Sequence, residues 1–294
     1  MKKILFPLDF SEVSFNAFRY ALNFAKKINA EIITLHVYQF PTIVYSDYDN
    51  FLLDNYNVYE WSEFENYKDE VPKLRAIAEE MQLEHVKICH VLKQGNVQES
   101  LLELANKEHV DYIIMGTKGA TGLKEVFLGT LTQSIMNNTK VPVLAIPADC
   151  EYQPIHRILF LTKYEKSHLP ILKKIVALAQ LFQTHVDVLR VSIATDDYFR
   201  KFISEWEKAN PNSGVDFFTL SSTDYEGTII DFMELHKINL VTMPVHHLSF
   251  FEKIFSYSLA RKLTFHSKVP ILTVYQSKKT VLTHRLKKQE PAHL

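Results

Sequence analysis

Four of the chain's seven glycines fall in one short window, Gly116, Gly119, Gly122 and Gly129, with Thr130 directly after the last. An apolar run, Tyr112-Ile-Ile-Met115, leads into the window, and a stretch of helical pattern follows it. A glycine-rich turn between a strand and a helix lets main-chain N–H groups close around phosphate, because no Cβ stands in the way. Gly116 ends the strand, and Gly119 and Gly122 permit positive φ within the loop. Gly129 and Thr130 open the next helix, whose first-turn amides have no helical acceptor and whose positive dipole end favours an anion. Thr130 offers a hydroxyl to phosphate or to a metal-bound water. Lys118 and Lys124 can offset phosphate charge. Without a ligand, the same window is a loop shaped for tight helix–sheet packing. Asp9 ends a second apolar run, Ile4–Leu8. It is a candidate ligand contact and equally a candidate to cap the following helix together with Ser11.

These residues need elements to position them, and the pattern supplies strands and helices in alternation. Ile4–Leu8 reads as a buried strand. Phe18, Ala21, Leu22 and Ala25 follow at i, i+3, i+4, i+7, one face of a helix. Further strands are expected at Glu31–Val37, Val86–Leu92, Tyr112–Met115 and Val141–Ile146, and further helices near Ser62–Met81, Val97–Lys107 and Thr130–Asn137. This βαβα order implies an α/β fold, a parallel sheet with helices on both faces. Such doubly wound sheets take ligands beyond the strand C-termini, where the strand order reverses. Asp9 and the glycine window both lie just after strands and meet there if the first and fourth strands are neighbours.

The chain then repeats itself. Lys3-Ile-Leu-Phe-Pro-Leu-Asp9 aligns with Arg157-Ile-Leu-Phe-Leu-Thr-Lys163, an offset of 154, and Lys140-Val-Pro-Val-Leu144 aligns with Lys268-Val-Pro-Ile-Leu272, an offset of 128. The first copy therefore carries 26 residues more than the second, between Val37 and Gly95. Two long copies imply two like domains. The expected bounds are 1–148 and 155–276, with a basic tail over 277–294. The additional segment, about 41–69, is rich in aromatic and acidic residues. It reads as a satellite cluster, or as a cover or partner surface. In the second copy Pro244, His247, Phe250 and Tyr257 stand where the first has Gly116, Gly119, Gly122 and Gly129, and Lys163 replaces Asp9. Proline removes an N–H donor and the aromatic rings fill phosphate space, so the second copy is not expected to hold phosphate as the first does. Ser258 keeps the final hydroxyl.

The spacing Gly116-x2-Gly119-x9-Gly129-Thr130 matches the nucleotide pattern of the universal stress protein family. The opening Ile-Leu-Phe-Pro7-Leu-Asp9 and the ending Val141-Pro-Val-Leu-Ala-Ile146 also resemble that family. The resemblance covers about 2–147 well and 156–275 more weakly. It implies two Rossmann-like domains, each a five-stranded parallel sheet of order 3-2-1-4-5, with ATP bound in many members. It further implies tandem copies paired through their last strands as a pseudo-dimer. By resemblance Asp9 meets the ribose or the adenine edge, Pro7 shapes the adenine side, the main chain of Val37 pairs with the base, and Met115 belongs with Gly116 to the cofactor-binding set.

Composition narrows the remaining classes. A net charge of −1 gives no general attraction to nucleic acid or acidic membranes. No apolar run approaches the roughly 20 residues a membrane helix needs. Asp9 and Glu12 interrupt the first apolar stretch too early for a signal peptide, so a cytoplasmic chain is expected. Cys89 and Cys150 are expected to be reduced and structural. His246-His247 and the His85/His90 pair lack ligand geometry, since neighbours on a strand face opposite ways. The leading expectation is an ATP-binding regulatory or stress-response protein, with or without magnesium, nucleotide in the first copy only, and a homodimer as one possible assembly. A slow ATP hydrolase and a nucleotide-free interaction module are the alternatives. No general base or arginine finger stands out near the loop.

Overall fold

The computed structural model describes residues 1–39, 49–117, 129–163, 168–193, 197–211, 213–245 and 268–275, with the backbone alone for 49–59 and 197–198. The chain divides into two units, Met1–Tyr152 and Gln153–Leu294. No helix among the described residues is long and apolar enough to cross a membrane.

In the first unit, five parallel strands stand in the order β3-β2-β1-β4-β5. They are β1 (Lys2–Pro7), β2 (Ala30–Tyr38), β3 (Ile88–Gln94), β4 (Tyr112–Gly116) and β5 (Val143–Ile146). Helices α1 (Glu12–Ile28), α2 (Asp49–Glu80), α3 (Val97–Lys107) and α4 (Thr130–Asn138) connect them. Ser11 N-caps α1 by accepting from the Ser14 amide, and Asn29 closes it in the left-handed conformation, φ 54°. Phe18, Ala21, Leu22 and Ala25 are fully buried along one face of α1. Each large side chain so buried contributes about 1.5–3 kcal/mol. The Phe6 ring meets Phe18 edge-on at 5.5 Å, so Phe6 and its register partner Thr34 point towards α1.

The second unit has strands β6 (Arg157–Leu161), β7 (His185–Val191), β8 (Val215–Leu220), β9 (Leu240–Pro244) and β10 (Ile271–Val274). Its described helices are α5 (Leu169–Phe182), α6 (Asp197–Ala209) and α7 (Tyr225–Leu235). The order is β8-β7-β6-β9-β10, again all parallel. Both units therefore have the expected doubly wound 3-2-1-4-5 sheet.

The duplication extends to the caps. Asn29 and Gln183 both end their helices at positive φ, 54° and 56°, and His109 and Lys237, each one residue past the cap of its helix, hold 50° and 52°. Asn96 and Asp224 N-cap α3 and α7 in the same way. Asp111 accepts from the Lys3 amide at 2.8 Å, and Asn239 accepts from the Arg157 amide at 3.2 Å. Each tie fastens the start of one central strand to the turn before its neighbour.

Several boundaries differ from expectation. Helix α2 runs from Asp49, not from near Ser62, and takes up much of the first copy's additional length: 32 residues against 13 in α6. Apolar and acidic residues alternate over 41–69 without a clean helical period, which hides its beginning. Strand β3 starts two residues later than expected because most of its side chains are only half-buried, so hydrophobic contrast is weak. Strand β5 starts at Val143, since Val141 donates its amide to Thr139 Oγ1 and Pro142 has no amide to donate.

Candidate functional site

The β1–β4 ladder pairs Ile4 with Tyr112 and Leu5 with Ile113 and extends no further, whereas β1–β2 pairing continues to Pro7↔Leu35. A crevice therefore begins beyond Leu5, at the point where strand order reverses. Counting on along the registers places Pro7 level with Met115, and Asp9 level with Val37 and Thr117. The expected residues of both strands thus share one end of the sheet.

On the β4 side, Gly116 pairs with Ile146, and the Thr117 amide donates to Ile146 O at 2.9 Å. The Gly129 amide then returns to donate to Thr117 O at 2.5 Å. A Cβ on Gly129 would stand 2.8 Å from that same carbonyl oxygen, closer than real Cβ contacts allow. Gly129 has φ −63°, which any residue adopts, so close approach is what demands glycine here. As N-cap of α4 it makes no side-chain capping bond. The first-turn amides of α4 consequently receive no side-chain acceptor from their cap, the arrangement that suits an anion. Thr132 Oγ1 donates to Gly116 O at 3.1 Å and ties the helix to the strand end. Thr130, one step into the helix, is exposed. Gly119, Gly122, Lys118 and Lys124 lie outside the described residues.

On the β1 side, exposed Asp9 accepts through Oδ1 from the Ser11 amide at 3.1 Å and the Ser11 hydroxyl at 2.6 Å. The capping role foreseen for Asp9 is therefore present, acting through Ser11. Phe10, which follows, holds φ 58°, a left-handed conformation disfavoured for a bulky residue. Two rings pack against the strained residue. Phe10 lies 4.8 Å from His36 and 6.0 Å from Tyr67, and His36 stacks on Tyr67 at 5.9 Å. His36 Nδ1 is 2.8 Å from Leu8 O, and since a carbonyl only accepts, that nitrogen carries the proton. Burial pushes the Tyr67 phenol up, while the nearby Thr34 hydroxyl pulls it down. Burial also lowers His90, whose Nδ1 lies 2.8 Å from Thr34 Oγ1. Phe10, His36 and Tyr67 were missed in the sequence. Only Tyr67 carried a signal, as part of the aromatic segment.

The universal stress protein family model matches residues 1–147. The chain belongs to the universal stress protein family. Universal stress protein MJ0577 of Methanocaldococcus jannaschii is 34% identical over 152 residues, covering 49% of this chain and 94% of that protein. Universal stress protein MJ0531 of the same organism is 30% identical over 145 residues, covering 49% and 81%. A universal stress protein structure from Archaeoglobus fulgidus matches with a TM-score of 0.67 over 94% of this chain and 96% of its own. At 18% identity that likeness speaks for the fold alone.

Of the residues that the universal stress protein resemblance nominated, Pro7 and Val37 are half-buried at their strand ends, and Met115 is buried at 3% exposure. In the second unit Lys163 is exposed just past β6, and Pro244 closes β9 in register with Val274. His246, His247, Phe250, Tyr257 and Ser258 lie outside the described residues, as does the tail over 277–294.

Proposed function

We propose that this universal stress protein binds ATP at the switch point of its first unit and uses occupancy as a regulatory signal. The observation that carries the proposal is the α4 N-terminus: a glycine N-cap packed under Thr117 O, with no side-chain cap, at the level of Asp9 just past the neighbouring strand. The polyphosphate lies against Gly116, Gly129, Thr130 and the glycine loop that includes Gly119 and Gly122. The nucleoside lies across Pro7, Asp9, Val37 and Met115. Magnesium accompanies the phosphates, with the Thr130 hydroxyl on the metal's water shell. The second unit does not take ATP, because Lys163 stands in Asp9's place and Pro244 removes an amide. We place the domain boundary within 148–155.

Titration of the full chain with ATP and magnesium, by calorimetry and thermal shift, tests this reading. One site per chain is expected, with about 2.7 kcal/mol of stabilisation at 100 times Kd. Gly129→Val and Asp9→Ala should each weaken binding, while Lys163→Ala should leave it unchanged. A stoichiometry of two, or no response in the wild type, would overturn it.

A further inference from the structure

The switch point of the second unit holds a cavity of about 110 Å³. Its walls are Leu161 and Met243 at the strand ends, Leu189 and Val191 from β7, and Ile229 from α7, with Thr162, Lys163 and Tyr225 completing the lining. Leu161, Leu189, Met243 and Ile229 are buried, whereas Lys163 is exposed. By the offsets of the internal repeat, Leu161, Lys163, Val191 and Met243 are the counterparts of Pro7, Asp9, Val37 and Met115. The second copy has therefore kept an opening at the same place in its sheet and changed its chemistry. Leu161 replaces Pro7 in a wall that is apolar in both copies, and a cation replaces a carboxylate.

We infer that this cavity binds a small monocarboxylate with a short aliphatic tail, the tail among Leu161, Leu189, Ile229 and Met243 and the carboxylate against Lys163 Nζ. An apolar cavity of this size gains more from hydrocarbon than from water, and it is somewhat smaller than the roughly 150 Å³ space that holds a benzene ring. The lining offers few polar partners with which a trapped water could make its two to four bonds. Lys163 makes no ion pair among the described residues, and its flexible stem lets the ammonium reach the rim. Thr162 Oγ1 is engaged with His168 Nδ1 at 2.7 Å, so the lysine is the main source of charge selectivity. A purine fits this arrangement poorly, because the carboxylate that could accept from its edge is absent. The inference stands apart from ATP binding in the first unit, since it uses none of the same residues.

The test is binding of hexanoate, hexan-1-ol and hexylammonium to the full chain, by calorimetry and ligand-observed NMR. Hexanoate should bind saturably and ahead of hexylammonium by about three- to fivefold, the size of an exposed ion pair. Lys163→Asp should invert that preference. Val191→Phe at the half-buried rim and Ile229→Phe within the wall should each abolish hexanoate binding, with thermal unfolding confirming a folded protein. Saturating ATP should leave hexanoate affinity unchanged. The inference is overturned if wild type shows no saturable hexanoate binding, if neither filling variant reduces it, if the ammonium binds as well as the carboxylate, or if adenosine displaces hexanoate.

Discussion

The two switch points of this chain are built on one scaffold and end in opposite chemistry. In both units the strand order, the left-handed helix ends at Asn29 and Gln183, and the side-chain tie from Asp111 or Asn239 are the same. At the mouth of the first sheet stand a carboxylate, a helix N-terminus whose cap residue makes no side-chain bond, and a glycine held by close approach. At the mouth of the second stand a lysine and an apolar cavity. The backbone conformations and hydrogen bonds that set element ends and register recur in both copies although the residues making them differ, because losing one destabilises the whole unit. At the crevice Val37 and Met115 recur as Val191 and Met243, and the divergence lies at Pro7 and Asp9, replaced by Leu161 and Lys163.

The largest expected effect sharpens the contrast between the two interiors. Asp187 is fully buried and accepts from Arg157 at 2.9 and 2.8 Å and from His236 at 2.8 Å. Its counterpart in the first unit is the apolar Ile33. Asp187→Ala strips two basic groups of their buried partner. After allowance for the partial exposure of Arg157, it should lower unfolding free energy by about 3 kcal/mol in chemical denaturation. A loss below about 1 kcal/mol would show the cluster to be solvated like a surface pair.

Next comes Gly129→Val. The added side chain collides with Thr117 O, displaces α4, and should weaken ATP about a hundredfold, or about 2.7 kcal/mol, in calorimetry. Unchanged affinity would break the assignment of phosphate to the α4 N-terminus. The reciprocal exchange Asp9→Lys follows, with an expected loss of about tenfold in ATP affinity, or about 1.4 kcal/mol. The same variant should lose a few tenths of a kcal/mol of stability through the Ser11 cap, at the low end of the usual about 0.5–2 kcal/mol for capping changes, because Ser11 itself remains. The smallest effects compare the matched helix ends. Asn29→Gly and Gln183→Gly should each raise stability by about 0.4–1 kcal/mol, with the larger gain at Gln183, since Asn tolerates positive φ better than Gln. Equal melting-temperature shifts would mean that the glutamine is held by contacts beyond its backbone.

Much of the fold was legible from the sequence. Helix α3 was read to the residue, Val97–Lys107, because Asn96 caps it and its apolar face is clean. The central strands were found within a residue or two as short apolar runs, and the parallel order followed from the alternation and the family resemblance. The long α2 was half-missed because its first turns carry no regular apolar stripe. Of the candidate site, the sequence placed Gly116, Gly129, Thr130 and Asp9 next to strand ends, and the structure brings them to one end of the sheet. The ring cluster of Phe10, His36 and Tyr67 was not visible, since it joins a turn, a strand and a helix through side-chain volumes.

What the sequence determined by itself was local: periodicity, caps and the placing of glycine, each fixed by the chemistry of a turn or two of chain. Only the tertiary structure decided why Gly129 must be glycine, for the oxygen that would collide with a Cβ belongs to Thr117, twelve residues earlier. It alone revealed that the second switch point is a cavity, because empty volume is a property of walls drawn from β6, β7, β9 and α7 together. Local preferences act along the chain and can be read there. Contact and void act through space, between residues whose separation in sequence carries no sign of their meeting.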